Sequence, residues 1–121
     1  MKKYYLVYCA YPYTEDPQGT ALEIGKICQA LYKKHTDLIL IIPHFTFDAP
    51  ISYDGRVIKW VKGDTNFWIA EVELALIMKA DILAYDPKHI SPGVAWEISF
   101  ATLLDKPILS YEELMEGKRL K

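Results

Sequence analysis

Glu97 is the residue whose surroundings demand an explanation. It interrupts the run Ser91-Pro92-Gly93-Val94-Ala95-Trp96-Glu97-Ile98-Ser99-Phe100-Ala101, which is otherwise apolar apart from small hydroxyls. A carboxylate in such a stretch is poorly solvated. Unpaired burial of a charge is expensive, so the acid is expected to have a partner or a chemical task. A carboxylate can attack a carbon as a nucleophile or carry a proton as a general acid or base. Two readings stand side by side: a structural acid attracted to a helix start, and a reactive group aimed into a cleft. Tyr8, Tyr13, His44, Glu73, Asp86 and Ser91 also have side chains suited to chemistry. Their plainer readings are core or rim tyrosines, a polar loop histidine, surface or strand-end acids, and an ordinary helix cap.

These groups must be held by regular elements. Ser91 is a good N-cap and Pro92 suits the first helical position, so a helix is predicted from there to Leu104. Counting by three and four, Glu97 shares a face with Gly93, Val94, Phe100, Ala101 and Leu104. The apolar run Asp81 to Asp86 reads as a buried strand that delivers this helix. Tyr4 to Ala10 suits a central parallel strand and runs into the turn-rich loop Tyr11-Pro12-Tyr13-Thr14-Glu15-Asp16-Pro17. Thr20 to Lys34 has helical periodicity and ends in Lys33-Lys34-His35, where positive charge is favoured. Asp37 to Pro43 reads as a second strand. Ala49 to Asp64 is a long connection of the sort that often forms a lid or binding loop. Arg56 is its candidate for meeting an anion, although a surface arginine is the commoner case. Asn66 to Lys79 is helical by pattern, Lys106 to Ser110 is a short last strand, and Tyr111 to Gly117 is a terminal helical turn.

Composition narrows the function classes. The chain has 121 residues, enough for one compact domain. Its formal net charge of −2 supplies no electrostatic footprint for nucleic acid. Cys9 and Cys28 fall inside predicted apolar elements and read as reduced core thiols. No cysteine–histidine spacing suggests zinc. Met1-Lys2-Lys3 leads into a short apolar run with tyrosines, unlike a signal peptide or a membrane span. A cytoplasmic protein is expected.

The segment Ser91 to Glu97, with Ala101 and Lys106-Pro107-Ile108 after it, resembles the signature of the nucleoside 2-deoxyribosyltransferase-like superfamily. That superfamily contains deoxyribosyltransferases and nucleotide N-glycosidases. The resemblance makes Glu97 the nucleophile and sets Asp105 where a turn glycine is common. Val7-Tyr8-Cys9-Ala10-Tyr11-Pro12-Tyr13 resembles the first strand and loop of the superfamily. By that likeness Tyr8 orients the nucleophilic carboxylate, Tyr13 lines the base pocket beside Pro12, and Tyr11 replaces a glycine. Pro43-His44 resembles a Pro-His pair that walls the pocket in some members. An acid eight positions before the Asp of Ala80-Asp81, here Glu73, is implied as the proton-transfer group near the leaving base. Asp86, Ser91 and Gly93 complete the implied substrate-binding set. The position of Ser91 is a sugar-contacting Asp in the transferases and a phosphate-contacting Ser in the N-glycosidases. The Pro12-Tyr13 loop looks more like the transferases. Nucleoside and nucleotide therefore both remain open.

The expected fold is α/β: a three-layer, Rossmann- or flavodoxin-like sandwich with a 4–5-stranded parallel sheet and helices on both faces, one domain over residues 1–121. The resemblance implies cleavage or transfer at an N-glycosidic bond, with no metal and no organic cofactor. The implied partners are a small nucleoside or nucleotide and a second copy of the chain, with no nucleic acid and no membrane. The Trp96 and Phe100 side of the helix is the candidate dimer face. Two other classes stay open: a non-catalytic nucleotide-binding module on the same fold, and an interaction protein using Trp60, Trp68 and Trp96.

Overall fold

The computed structural model describes residues 4–12, 17–43 and 66–120. In chain order the elements are β1 (Tyr5–Cys9), α1 (Pro17–Lys34), β2 (Leu38–Ile41), α2 (Asn66–Lys79), β3 (Ile82–Tyr85), α3 (Pro92–Leu103), β4 (Ile108–Ser110) and α4 (Tyr111–Met115). The four strands form one sheet in the order β2-β1-β3-β4, and every pairing is parallel. Tyr8 lies in the middle of it, level with Ile41 on one side and Leu83 on the other.

The strands are continuous apolar runs because both faces of the sheet are covered. Side chains alternate between two cores. Val7, Cys9 and Tyr11 point to one side, where Ile24, Cys28 and Leu31 of α1 and Tyr111 and Leu114 of α4 pack on them. Tyr8 and Ala10 point to the other, against Ile77 of α2 and Val94 and Ala101 of α3. This gives three layers, helices on both faces of a parallel sheet. Burying each large aliphatic side chain contributes roughly 1.5–3 kcal/mol, so these two cores hold the layers together.

Boundaries follow local chemistry. α1 begins at Pro17, three residues before the point where its apolar periodicity becomes readable, because a first turn without apolar residues has no periodic signal. Asp81 ties the start of β3 to β1: its Oδ2 accepts from the Leu6 N–H at 2.8 Å and its own N–H donates to the Leu6 carbonyl at 2.7 Å. The turn after α3 places Asp105 at φ 57°, the left-handed region where glycine is at ease and Asp is tolerated. Ser110 caps α4 with a full capping box shared with Glu113. Arg119 returns the C-terminal segment to the start of β2, its Nε and Nη2 donating to the two Asp37 carboxylate oxygens at 2.8 and 2.9 Å. Cys9 and Cys28 are free thiols, both buried. Among the described residues no helix is long and apolar enough to cross a membrane.

Candidate active site

Three elements meet at one hydroxyl. Tyr8 comes from β1, one of the two inner strands, and is fully buried. Glu97 comes from α3, one turn in from a start made by Ser91 and Pro92; the Ser91 Oγ accepts from the Val94 N–H at 3.2 Å. Glu73 comes from α2. The Tyr8 hydroxyl donates to the Glu97 carboxylate in a short hydrogen bond and lies 3.1 Å from Oε2 of Glu73. Residues 65 and 89 positions apart in sequence from Tyr8 are thus joined through one oxygen. Val94, Glu97 and Ala101 form the buried stripe of α3. Gly93 and Leu104, placed on the same face by counting, are exposed and Phe100 is half-buried.

The electrostatics of the group follow from burial and crowding. Glu97 is 6% exposed. Burial raises its pKa most, the neighbouring Glu73 adds to the rise, and together they push it to about 8 against the hydrogen bond from Tyr8. Glu73 is raised as well, again chiefly by burial, with its hydrogen bonds opposing. Tyr8 is pushed far above the usual phenol range, by burial and then by the two carboxyls. It remains a neutral donor. One phenolic hydrogen cannot satisfy two carboxylates, so the group holds together best with a further proton shared between the acids. It is a proton-sharing carboxyl pair, Glu97 buried and Glu73 half-buried, beside a fixed hydroxyl, a combination suited to nucleophilic attack by one acid and proton transfer by the other.

The loops that leave β1 and β3 carry further polar groups. Tyr11 donates through its hydroxyl to Oε2 of Glu23 at 2.8 Å, and burial and then Glu23 raise its pKa to about 12. Its ring lies 5.9 Å from that of His89. Asp86 accepts from the Lys88 N–H at 2.9 Å, and its Oδ2 faces Nδ1 of His89 at 3.0 Å. Partial burial works against its charge, but these partners hold its pKa below the usual carboxylate range. Its two oxygens are thus engaged within its own loop, which it organises. Pro12 is half-buried at the end of the β1 loop. Gly93 has room for a Cβ, whose nearest neighbour would be the Ser91 Oγ at 3.8 Å. Tyr13 and His44 lie outside the described residues, as do Arg56 and Trp60.

Two contributors carry no sequence signal. Tyr111, at the start of α4, sends its hydroxyl to the Ala10 carbonyl at 2.7 Å, while the Ala10 N–H donates to the Ala84 carbonyl at 2.9 Å. Both backbone groups of the residue that follows β1 are thereby fixed. The second is His89, which in sequence reads as one more polar residue in a loop.

No protein-family model and no curated protein matches the sequence. Solved structures do resemble it. A 2-deoxyribosyltransferase from Bacillus psychrosaccharolyticus superposes with a TM-score of 0.61 at 18% identity, covering 87% of this chain and 70% of that one. A conserved protein from Enterococcus faecalis V583 superposes with a TM-score of 0.66 at 17% identity, covering 88% of this chain. This chain spans 62% of the length of that second protein. The parallel four-stranded order and these likenesses together give the chain a nucleoside 2-deoxyribosyltransferase-like fold.

Proposed function

We propose that the protein cleaves the N-glycosidic bond of a nucleoside or nucleotide, with Glu97 as nucleophile. The observation that carries this reading is the Tyr8 hydroxyl set between two carboxyls from different helices, the buried Glu97 and the half-buried Glu73. Glu97 attacks the anomeric carbon, whose transition state is cation-like, and forms a glycosyl ester. The carbon–nitrogen electron pair leaves with the base, which takes a proton from Glu73. Tyr8 holds the Glu97 carboxylate in line. An acceptor, a second base or water, then gives its proton to Glu73 as it attacks the same carbon and releases Glu97. Keeping water out favours transfer, and admitting it gives hydrolysis.

The solved relative from B. psychrosaccharolyticus, described as a biocatalyst for nucleoside synthesis, supports a nucleoside as the substrate. A second reading, a nucleoside 5′-monophosphate N-glycosidase, is favoured by Ser91, whose hydroxyl hydrogen remains available while its oxygen caps α3. A cytoplasmic setting fits two buried free thiols, and a homodimer fits the apolar outer side of α3. Mass spectrometry of the protein incubated with 2′-deoxynucleosides and nucleoside monophosphates tests the proposal. Free base, exchanged base or a sugar adduct is expected, and Glu97→Ala should abolish each while its circular dichroism spectrum is unchanged. A wild-type protein that binds these compounds without releasing base would point instead to a non-catalytic binding module.

A further inference from the structure

We propose that Tyr111 is a positioning residue, whose hydroxyl ends the pairing of β1 with β3 and so fixes where Tyr8 meets its two acids. This rests on the glycosidic reading above. The Tyr111 ring lies in the core on the α1 and α4 face of the sheet, whereas Tyr8 points into the opposite core. Its influence on the site therefore runs through the backbone. The hydroxyl donates to the Ala10 carbonyl at 2.7 Å, and both residues are buried, 7% and 1% exposed. The N–H and carbonyl of one strand residue face the same neighbouring strand. The Ala10 N–H donates to Ala84 of β3 at 2.9 Å, so its carbonyl faces β3 as well. A longer ladder would use that carbonyl for the chain beyond Tyr85. Here a side chain from α4 takes it.

The place where the ladder ends matters. After β1 the chain passes to α1 on one face of the sheet, and after β3 it passes to α3 on the other. Ligands of open parallel sheets bind in the crevice at such a divergence. Tyr8 lies two residues before Ala10 and on the same face. Tyr111 is itself anchored: Ser110 pairs with Tyr85, and the capping box of Ser110 and Glu113 sets the first turn of α4. Holding Ala10 from this fixed point holds the end of β1, and with it the Tyr8 hydroxyl between Glu97 and Glu73. Misplacing reacting groups by about 1 Å can cost about a hundredfold in rate, so a smaller drift costs less but is measurable. Glu73 of α2 and Tyr8 of β1 are the groups that act on Glu97. The Tyr8 hydrogen bonds favour the ionised form of both acids, so loosening them moves the titration of the pair upward.

The test compares wild type, Tyr111→Phe and Leu114→Val for base release from the four 2′-deoxynucleosides and their 5′-monophosphates, with pH–rate profiles and melting curves. Leu114 is buried in the same core and on the same helix as Tyr111, so Leu114→Val reports a loss of packing alone. Tyr111→Phe removes one oxygen and keeps the ring. It should lower kcat about tenfold with KM within about twofold, and shift the pH–rate profile to higher pH. Leu114→Val should lower the melting temperature while kcat stays within about twofold and the profile stays in place. An active wild type with an unchanged Tyr111→Phe overturns the positioning role and leaves the glycosidic reading standing. So does a Tyr111→Phe variant that raises KM alone, or one that Leu114→Val matches in kcat and pH profile. A wild type inert on every substrate overturns both.

Discussion

At the level of single residues the decisive quantity is a proton. Glu97 is raised to about 8 by burial first and by Glu73 second. Its ordinary value is 4.5, so the folded protein keeps on the Glu97–Glu73 pair a proton that the unfolded chain releases. Its contribution to stability is full below the unfolded value and is lost as pH rises through about 8. Wild type should therefore lose thermal stability between about pH 5 and pH 9, and Glu97→Gln, which cannot ionise, should lose less over the same range. Melting curves at several pH values check this, and parallel curves for the two proteins would contradict the burial argument. Glu97 was legible because it broke an apolar run. A role for Glu73 was implied only by the family resemblance, counted back from Asp81, and nothing along α2 itself separates it from Glu71. Only the fold sets its carboxylate 3.1 Å from the Tyr8 hydroxyl.

Among the elements, α3 carries the most information in its own residues. The cap by Ser91 and the start at Pro92 were predicted and are found, because capping depends on neighbours a few positions away. The turn that follows is equally local. Asp105 takes φ 57° at the position where the family resemblance has a turn glycine. Asp105→Gly should raise stability by up to about 1 kcal/mol, since the left-handed conformation costs a side chain roughly that much. A β-branched residue there should lower it. Chemical denaturation of the two variants decides the sign, and a destabilised glycine variant would mean that the Asp side chain makes up for its backbone. α1 was legible through most of its length, but its first turn was not, since no apolar period marks it.

For the molecule as a whole, the covered and uncovered faces differ in kind. The sheet is buried on both sides, yet α3 is apolar almost all round and still exposes Trp96 at 43% and Leu103 at 82%. A helix apolar on every side usually has a neighbour on every side. Trp96 stacks on Phe100, ring centroids 6.3 Å apart, which prepares a flat patch. If the proposed homodimer uses this face, the wild type sediments as a dimer and Leu103→Lys shifts it toward monomer without loss of helix content. A wild type that stays monomeric at high protein concentration would remove the dimer. Sequence alone pointed to the face through Trp96 and Phe100; the exposure that makes it a candidate is a property of the packed layers.

The sequence by itself determined the kinds of element and their order, because helical period, strand runs, caps and turn residues all act over a few positions. It also singled out Glu97, since an acid in apolar company is visible without coordinates. Tertiary structure decided what that acid meets. Parallel pairing of β1 with β3 and the packing of α2 and α3 on one face bring Tyr8, Glu73 and Glu97 together, and α4 reaches back to Ala10 through Tyr111. Those contacts join residues far apart in the chain. Burial of apolar surface drives them, and it follows which faces can be covered at once rather than which residues are neighbours.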